Sequence, residues 1–79
     1  MRLTLYSKPG CHLCEELRAL LDELQPELRC AIEEIDITTD RSLFERYRYE
    51  IPVLWKDGRE VARGRIGDRE LLSLLGRQS

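Results

Sequence analysis

The sequence predicts a small α/β fold: a four-stranded mixed sheet flanked by helices, in the order β-α-β-α-β-β-α. Three observations carry that expectation. Residues 2–6 alternate apolar and polar, with Leu3 and Leu5 on one side, which is the period of a half-buried strand. From Leu13 the leucines recur at Leu17, Leu20, Leu21 and Leu24, a single face of an α-helix. Asp57-Gly58 separates two further strand-like runs, and this dipeptide suits the positive φ angles of a two-residue hairpin turn.

The elements follow in order. After the first strand, Ser7-Lys8-Pro9-Gly10 reads as a loop, because proline and glycine interrupt regular structure. The leucine face then begins a helix, and Pro26 is expected to stop it, since proline brings no N–H and restricts the residue before it. Residues 30–37 are rich enough in isoleucine to form a second strand. Thr38-Thr39-Asp40 supplies N-cap candidates for a short helix near 41–48, with Leu43, Phe44 and Tyr47 as its inner side. Pro52 to Trp55 is a third strand and Arg59 to Arg63 the returning fourth. Gly64 to Gly67 is a loop, and Asp68 is placed to cap a last helix carrying Leu71, Leu72 and Leu75. A right-handed β-α-β crossover makes the first two strands parallel, and the hairpin makes the last two antiparallel.

Composition narrows the function classes. A chain of 79 residues is read as one domain, 1–79, and its 42% hydrophobic and 35% charged residues argue against disorder. A net charge of −2 offers no reason to expect nucleic-acid or membrane binding. No apolar run approaches the ~20 residues that span a bilayer, and Met1 to Tyr6 lacks the apolar stretch of a secretory leader. The expectation is a cytoplasmic monomer.

Three cysteines are an odd set for a secreted disulfide framework, and in a reducing compartment a close pair points to catalysis or metal binding. The pair is Cys11-His12-Leu13-Cys14, at the start of the first helix. A thiol attacks a disulfide as thiolate, and the unpaired N–H groups and dipole of a helix start favour that anion. Lys8 adds a cation nearby. Cys14, one turn on, is placed to close a disulfide with Cys11. The pattern points to a redox-active dithiol. Zinc would need four ligands, and one pair, one histidine and a distant Cys30 do not make a complete site, so no metal is expected. An iron–sulfur cluster bridging two chains stays open, as does a non-catalytic module that holds a peptide or partner.

Topology brings further residues to the pair. If the third strand runs antiparallel to the first, its start, Ile51-Pro52, lies beside Cys11. The proline donates no N–H, and the backbone of Ile51 is then expected to be free for an extended substrate. Gly67-Asp68, at the start of the last helix, is expected at the same end, where the helix start would hold a carboxylate or Asp68 would cap it. Cys30 begins the second strand and falls at the opposite end, as a small buried hydrophobe. Arg46, Arg48, Arg63 and Arg65 are read as solvated surface.

On Lys8-Pro9-Gly10-Cys11-His12-Leu13-Cys14, Ile51-Pro52-Val53 and Ile66-Gly67-Asp68, the chain resembles the glutaredoxin-like branch of the thioredoxin superfamily over nearly its whole length. The resemblance implies the thioredoxin-like fold, Cys11 as nucleophile, Cys14 as resolving thiol and Pro52 in cis. It implies a thiol–disulfide oxidoreductase without a bound cofactor, acting on protein disulfides or low-molecular-weight disulfides, with glutathione or a reductase protein restoring the dithiol. Lys8, Ile51, Pro52, Gly67 and Asp68 would bind the substrate. Where glutaredoxins carry Thr-Val before the proline, Glu50-Ile51 places a negative charge near that groove.

Overall fold

Side-chain alternation in the first strand divides the molecule into two faces. The computed structural model describes residues 1–75. In β1 (Arg2–Ser7), Leu3, Leu5 and Ser7 are buried on one side, while Thr4 and Tyr6 point to the other. β2 (Ala31–Asp36) runs parallel to β1, with Leu5 opposite Glu34 and Ser7 opposite Asp36. β3 (Val53–Lys56) lies antiparallel along the other edge of β1, with Tyr6 opposite Val53. β4 (Arg59–Arg63) pairs antiparallel with β3, giving the order β2-β1-β3-β4. The hairpin between them turns on Asp57 and Gly58 at φ 50° and 86°, the two positive angles this turn type requires.

Among the described residues three α-helices cover the sheet: α1 (His12–Leu28), α2 (Arg41–Tyr47) and α3 (Asp68–Leu75). On the α1 and α3 side the core is aliphatic. Leu3, Leu5 and Leu54 of the sheet meet Leu17 and Leu21 of α1, Leu71 and Leu75 of α3, and Cys30. On the α2 side Ile37, Tyr47 and Val53 are packed by Tyr6, Leu43, Phe44, Ile51 and Trp55. Tyr6 stacks on Tyr47 at 5.1 Å and meets Trp55 edge-on at 6.4 Å. Among the described residues no helix is long and apolar enough to cross a membrane.

Several boundaries differ from the sequence expectation, each for a local reason. α1 passes through Pro26 and ends at Leu28. In the last turn proline forfeits one N–H bond, to the carbonyl a turn earlier, and the helix is closed by Arg29, at φ 52°, donating its N–H to the Gln25 carbonyl at 2.8 Å. The second strand stops at Asp36, whose carboxylate takes the Thr38 N–H at 2.9 Å and hydroxyl at 2.6 Å and bends Ile37–Thr39 into a 3₁₀ turn. The third strand begins at Val53 rather than Pro52. Asp68 is the first residue of α3; Gly67 holds the cap position, its carbonyl accepting the Leu71 N–H at 2.9 Å. Leu72 is 42% exposed, because one helical step carries it off the face shared by Leu71 and Leu75. Asp40 caps α2 as expected, accepting the Leu43 N–H at 3.2 Å.

Candidate active site

The loop from β1 to α1 ends on Gly10, whose φ of 80° turns the chain into the helix. Cys11 follows in extended conformation at the N-cap. Its N–H donates to the Lys8 carbonyl at 3.3 Å, and its own carbonyl takes the Glu15 N–H at 3.0 Å. Its sulfur accepts the Cys14 N–H at 3.2 Å. Sγ thus stands where a serine or aspartate oxygen usually caps a helix, against donors that would stabilise a thiolate. Cys11 and Cys14 form a disulfide, with Cα atoms 5.2 Å apart. The two cysteines differ in burial: Cys11 is half-buried and Cys14 only 2% exposed. His12 points outward, 81% exposed, and binds Glu16 at 2.9 Å.

The antiparallel pairing of β1 with β3 sets the start of β3 beside the end of β1. The Ile51–Pro52 peptide there is cis. Pro52 is buried, and its carbonyl takes the Gly64 N–H at 2.7 Å. The expectation that the whole backbone of Ile51 is free needs correction. The chain folds back after α2, so the Tyr47 carbonyl takes both the Glu50 N–H, at 2.7 Å, and the Ile51 N–H, at 3.1 Å. Among the described residues no group donates to the Ile51 carbonyl.

Glu50 is also changed by its surroundings. Its carboxylate holds Arg63 at 2.6 Å, and Arg63 holds Glu60 at 2.6 and 2.7 Å. These bonds push the Arg63 guanidinium further up from its already high range and hold the Glu60 carboxyl below its usual value. The charge predicted near the groove is therefore paired. The arginines read as solvated surface are exposed, and three of them also lie over aromatic rings: Arg46 and Arg63 over Tyr47, at 5.5 and 5.8 Å, and Arg48 over Tyr49 at 4.8 Å.

Two clefts flank the start of α1. One, of about 400 Å³, is lined by Ser7, Lys8, Pro9, Gly10, Cys14, Glu15, Glu34 and Asp36. The other, of about 310 Å³, lies between α1 and the start of α3, where Leu13, Glu16, Leu17 and Leu20 face Arg65, Ile66, Gly67 and Asp68. The structure thus places Lys8 on the Cys14 side and Gly67 and Asp68 in a separate cleft. Asp68 and Glu16 both line that second cleft. Cys30 is a free, buried thiol at the opposite end of the sheet. Among the described residues no group of three or more His, Cys, Asp or Glu side chains is arranged to hold a metal ion.

Ser7 and Glu34 were not visible as site residues in the sequence. Ser7 is a buried polar side chain, 4% exposed, and its hydroxyl donates to Glu34 at 2.7 Å. The signal that would have found them is parity. Glu34 shares the inward side of β2 with Ile32, an unusual place for a carboxylate, and the β1–β2 register sets it opposite Leu5.

The model of the glutaredoxin-like domain family (DUF836) matches residues 2–76. The chain is 27% identical over 77 residues to the glutaredoxin-like protein YDR286C homolog of Dictyostelium discoideum, an alignment covering 90% of this chain and 71% of that one. Among solved structures, protein XcR50 from X. campestris is 29% identical, with a TM-score of 0.79 and coverage of 94% and 95% of the two chains. Protein Ne2328 from Nitrosomonas europaea is 30% identical, with a TM-score of 0.76 and coverage of 94% and 89%. A thioredoxin from Halobacterium salinarum, at 24% identity and TM-score 0.69 over 94% and 70% of the chains, shares the fold.

Proposed function

The chain belongs to the glutaredoxin-like domain family, and on that premise we propose that it is a thiol–disulfide oxidoreductase. The observation that carries the reading is the asymmetry at the helix start: a half-buried Cys11 whose sulfur caps α1, and a buried Cys14 within disulfide reach. The Cys11 thiolate attacks one sulfur of a substrate disulfide and expels the other half as a thiolate, which takes a proton from solvent. The Cys14 thiol then loses its proton and attacks the Cys11 sulfur. The Cys11–substrate bond breaks, the Cys11–Cys14 bond forms, and two electrons have passed to the substrate.

The substrate class is a protein disulfide or a small mixed disulfide, with glutathione or a reductase protein returning the dithiol. An extended substrate segment would place an N–H on the Ile51 carbonyl beside Pro52, with Lys8 next to the dithiol. The start of α3 at Gly67-Asp68 would offer its N–H groups from the separate cleft that it shares with Leu13 and Glu16. The protein acts as a monomer, in a reducing compartment such as the cytoplasm, where the dithiol form is maintained.

The reading is tested by trapping. In a Cys14→Ser variant the second step is removed, so incubation with a disulfide substrate should accumulate a stable adduct on Cys11, seen by intact mass. The reading fails if no adduct forms and the parent protein releases no thiol from the same substrate.

A further inference from the structure

The second half of that reaction poses a problem the dithiol itself does not solve. Cys14 must act as a thiolate, yet it is only 2% exposed, and burial disfavours the charged sulfur. The helix-start donors that serve Cys11 do not serve it, since its own N–H is turned toward the Cys11 sulfur. A proton acceptor within reach is needed.

The cleft beside Cys14 contains one. Ser7 and Glu34 line it together with Cys14. The Ser7 hydroxyl is buried and aimed at one oxygen of Glu34, at 2.7 Å. The other oxygen lies 3.6 Å from Arg18 Nη1, and Arg18 is anchored by Asp22 at 3.0 Å. This carboxylate is thus fixed from both sides, and its 39% exposed side chain spans from the buried wall to solvent. The cleft, at about 400 Å³, has room for water, which takes roughly 30 Å³ a molecule. The other charged groups facing it are Lys8 from the loop, Glu15 from α1 and Asp36 from β2. Asp36 is engaged by Thr38.

Resting on the reaction proposed above, we propose that Glu34, held by Ser7, accepts the Cys14 proton through cleft water as Cys14 attacks the mixed disulfide. The Cys14 S–H bond breaks and its proton passes to the Glu34 carboxylate. The sulfur's electron pair forms the bond to Cys11, and the Cys11–substrate bond breaks to release the substrate thiolate. Glu34 then returns its proton to that thiolate or to solvent. Glu34 acts through water and is a positioning and proton-accepting residue; the reacting sulfurs remain those of Cys11 and Cys14.

The two steps can be watched apart with an aromatic disulfide whose released thiolate is coloured. Reduced protein releases one equivalent as Cys11 attacks and a second as Cys14 resolves the adduct. Glu34→Gln keeps an oxygen for the Ser7 hydroxyl but no longer takes a proton. The expected result is an unchanged first phase and a second phase slowed on the order of 10²-fold at neutral pH. The second-phase rate should rise in proportion to hydroxide in the variant, where the parent is nearly level. A second phase with the parent's rate and pH profile would overturn the inference while leaving the oxidoreductase reading intact. A parent protein with no first phase would instead overturn that reading.

Discussion

The two ends of the sheet hold the same chemical group and treat it in opposite ways. At one end the chain leaves β1, and Cys11 sits half-buried at a helix start with its sulfur hydrogen-bonded to an N–H. At the other, Cys30 enters β2 packed among the leucines of the aliphatic core. The distal end is closed by hydrogen bonds. Gln25 Nε2 donates to the Cys30 carbonyl at 2.9 Å, the Ala31 N–H to the Met1 carbonyl at 3.0 Å, and Arg2 and Asp57 exchange bonds at 2.9 and 2.8 Å. The dithiol end is more open: Cys11 is half-buried, the polar cleft lies beside Cys14, and among the described residues no group donates to the Ile51 carbonyl. A thiol becomes reactive through the donors and solvent around it, and inert when apolar side chains replace them.

The largest expected contrast is in turnover. Cys11→Ser should lower disulfide reduction on the order of 10³-fold or more, as removal of a nucleophile does. Cys30→Ala should leave the rate within about twofold and cost ~1 kcal/mol of stability. A steady-state assay of both variants decides it, and an equal loss of turnover in each would break the comparison.

Next comes a stability effect confined to the distal end. Gln25→Ala leaves the Cys30 carbonyl without its side-chain donor and should cost about 1 kcal/mol, read as a lower denaturant midpoint. The rate of disulfide reduction should stay at the parent value.

The smallest effect depends on pH and belongs to the dithiol end. The Thr38 hydroxyl and N–H hold the Asp36 carboxyl below its usual value. A carboxyl depressed in the folded state stabilises it fully above the ordinary carboxylate range of ~4, and that stabilisation is lost as pH falls through the folded value. Asp36→Asn should therefore shrink the drop in melting temperature between pH 7 and pH 3. A drop as large as the parent's would remove Asp36 from the account.

Most of the fold was legible because its signals are local. The alternation at Leu3 and Leu5, the leucine face from Leu13 and the Asp57-Gly58 turn each reflect chemistry within a few residues. The boundaries were less so. Whether Pro26 ends α1 depends on how the next turn is capped, and Arg29 supplies that cap. Gly67, rather than Asp68, caps α3 because its carbonyl takes the Leu71 N–H. The dithiol was readable from spacing alone. Its surroundings were not: the tie of Ile51 to Tyr47, the pairing of Glu50 with Arg63, and the Ser7–Glu34 contact all join residues distant in the chain or across a turn.

By itself, then, the sequence determined the order of the elements, the two-faced sheet and the position of Cys11 and Cys14 at a helix start. Hydrophobic period and helix-start chemistry are properties of neighbouring residues, and they survive without knowledge of what packs where. Only the tertiary structure decided how deeply Cys14 is buried beside the half-buried Cys11, and that a carboxylate from β2 reaches the wall beside Cys14. Strand register makes that last choice, since a slip of one residue would turn Glu34 to the opposite face.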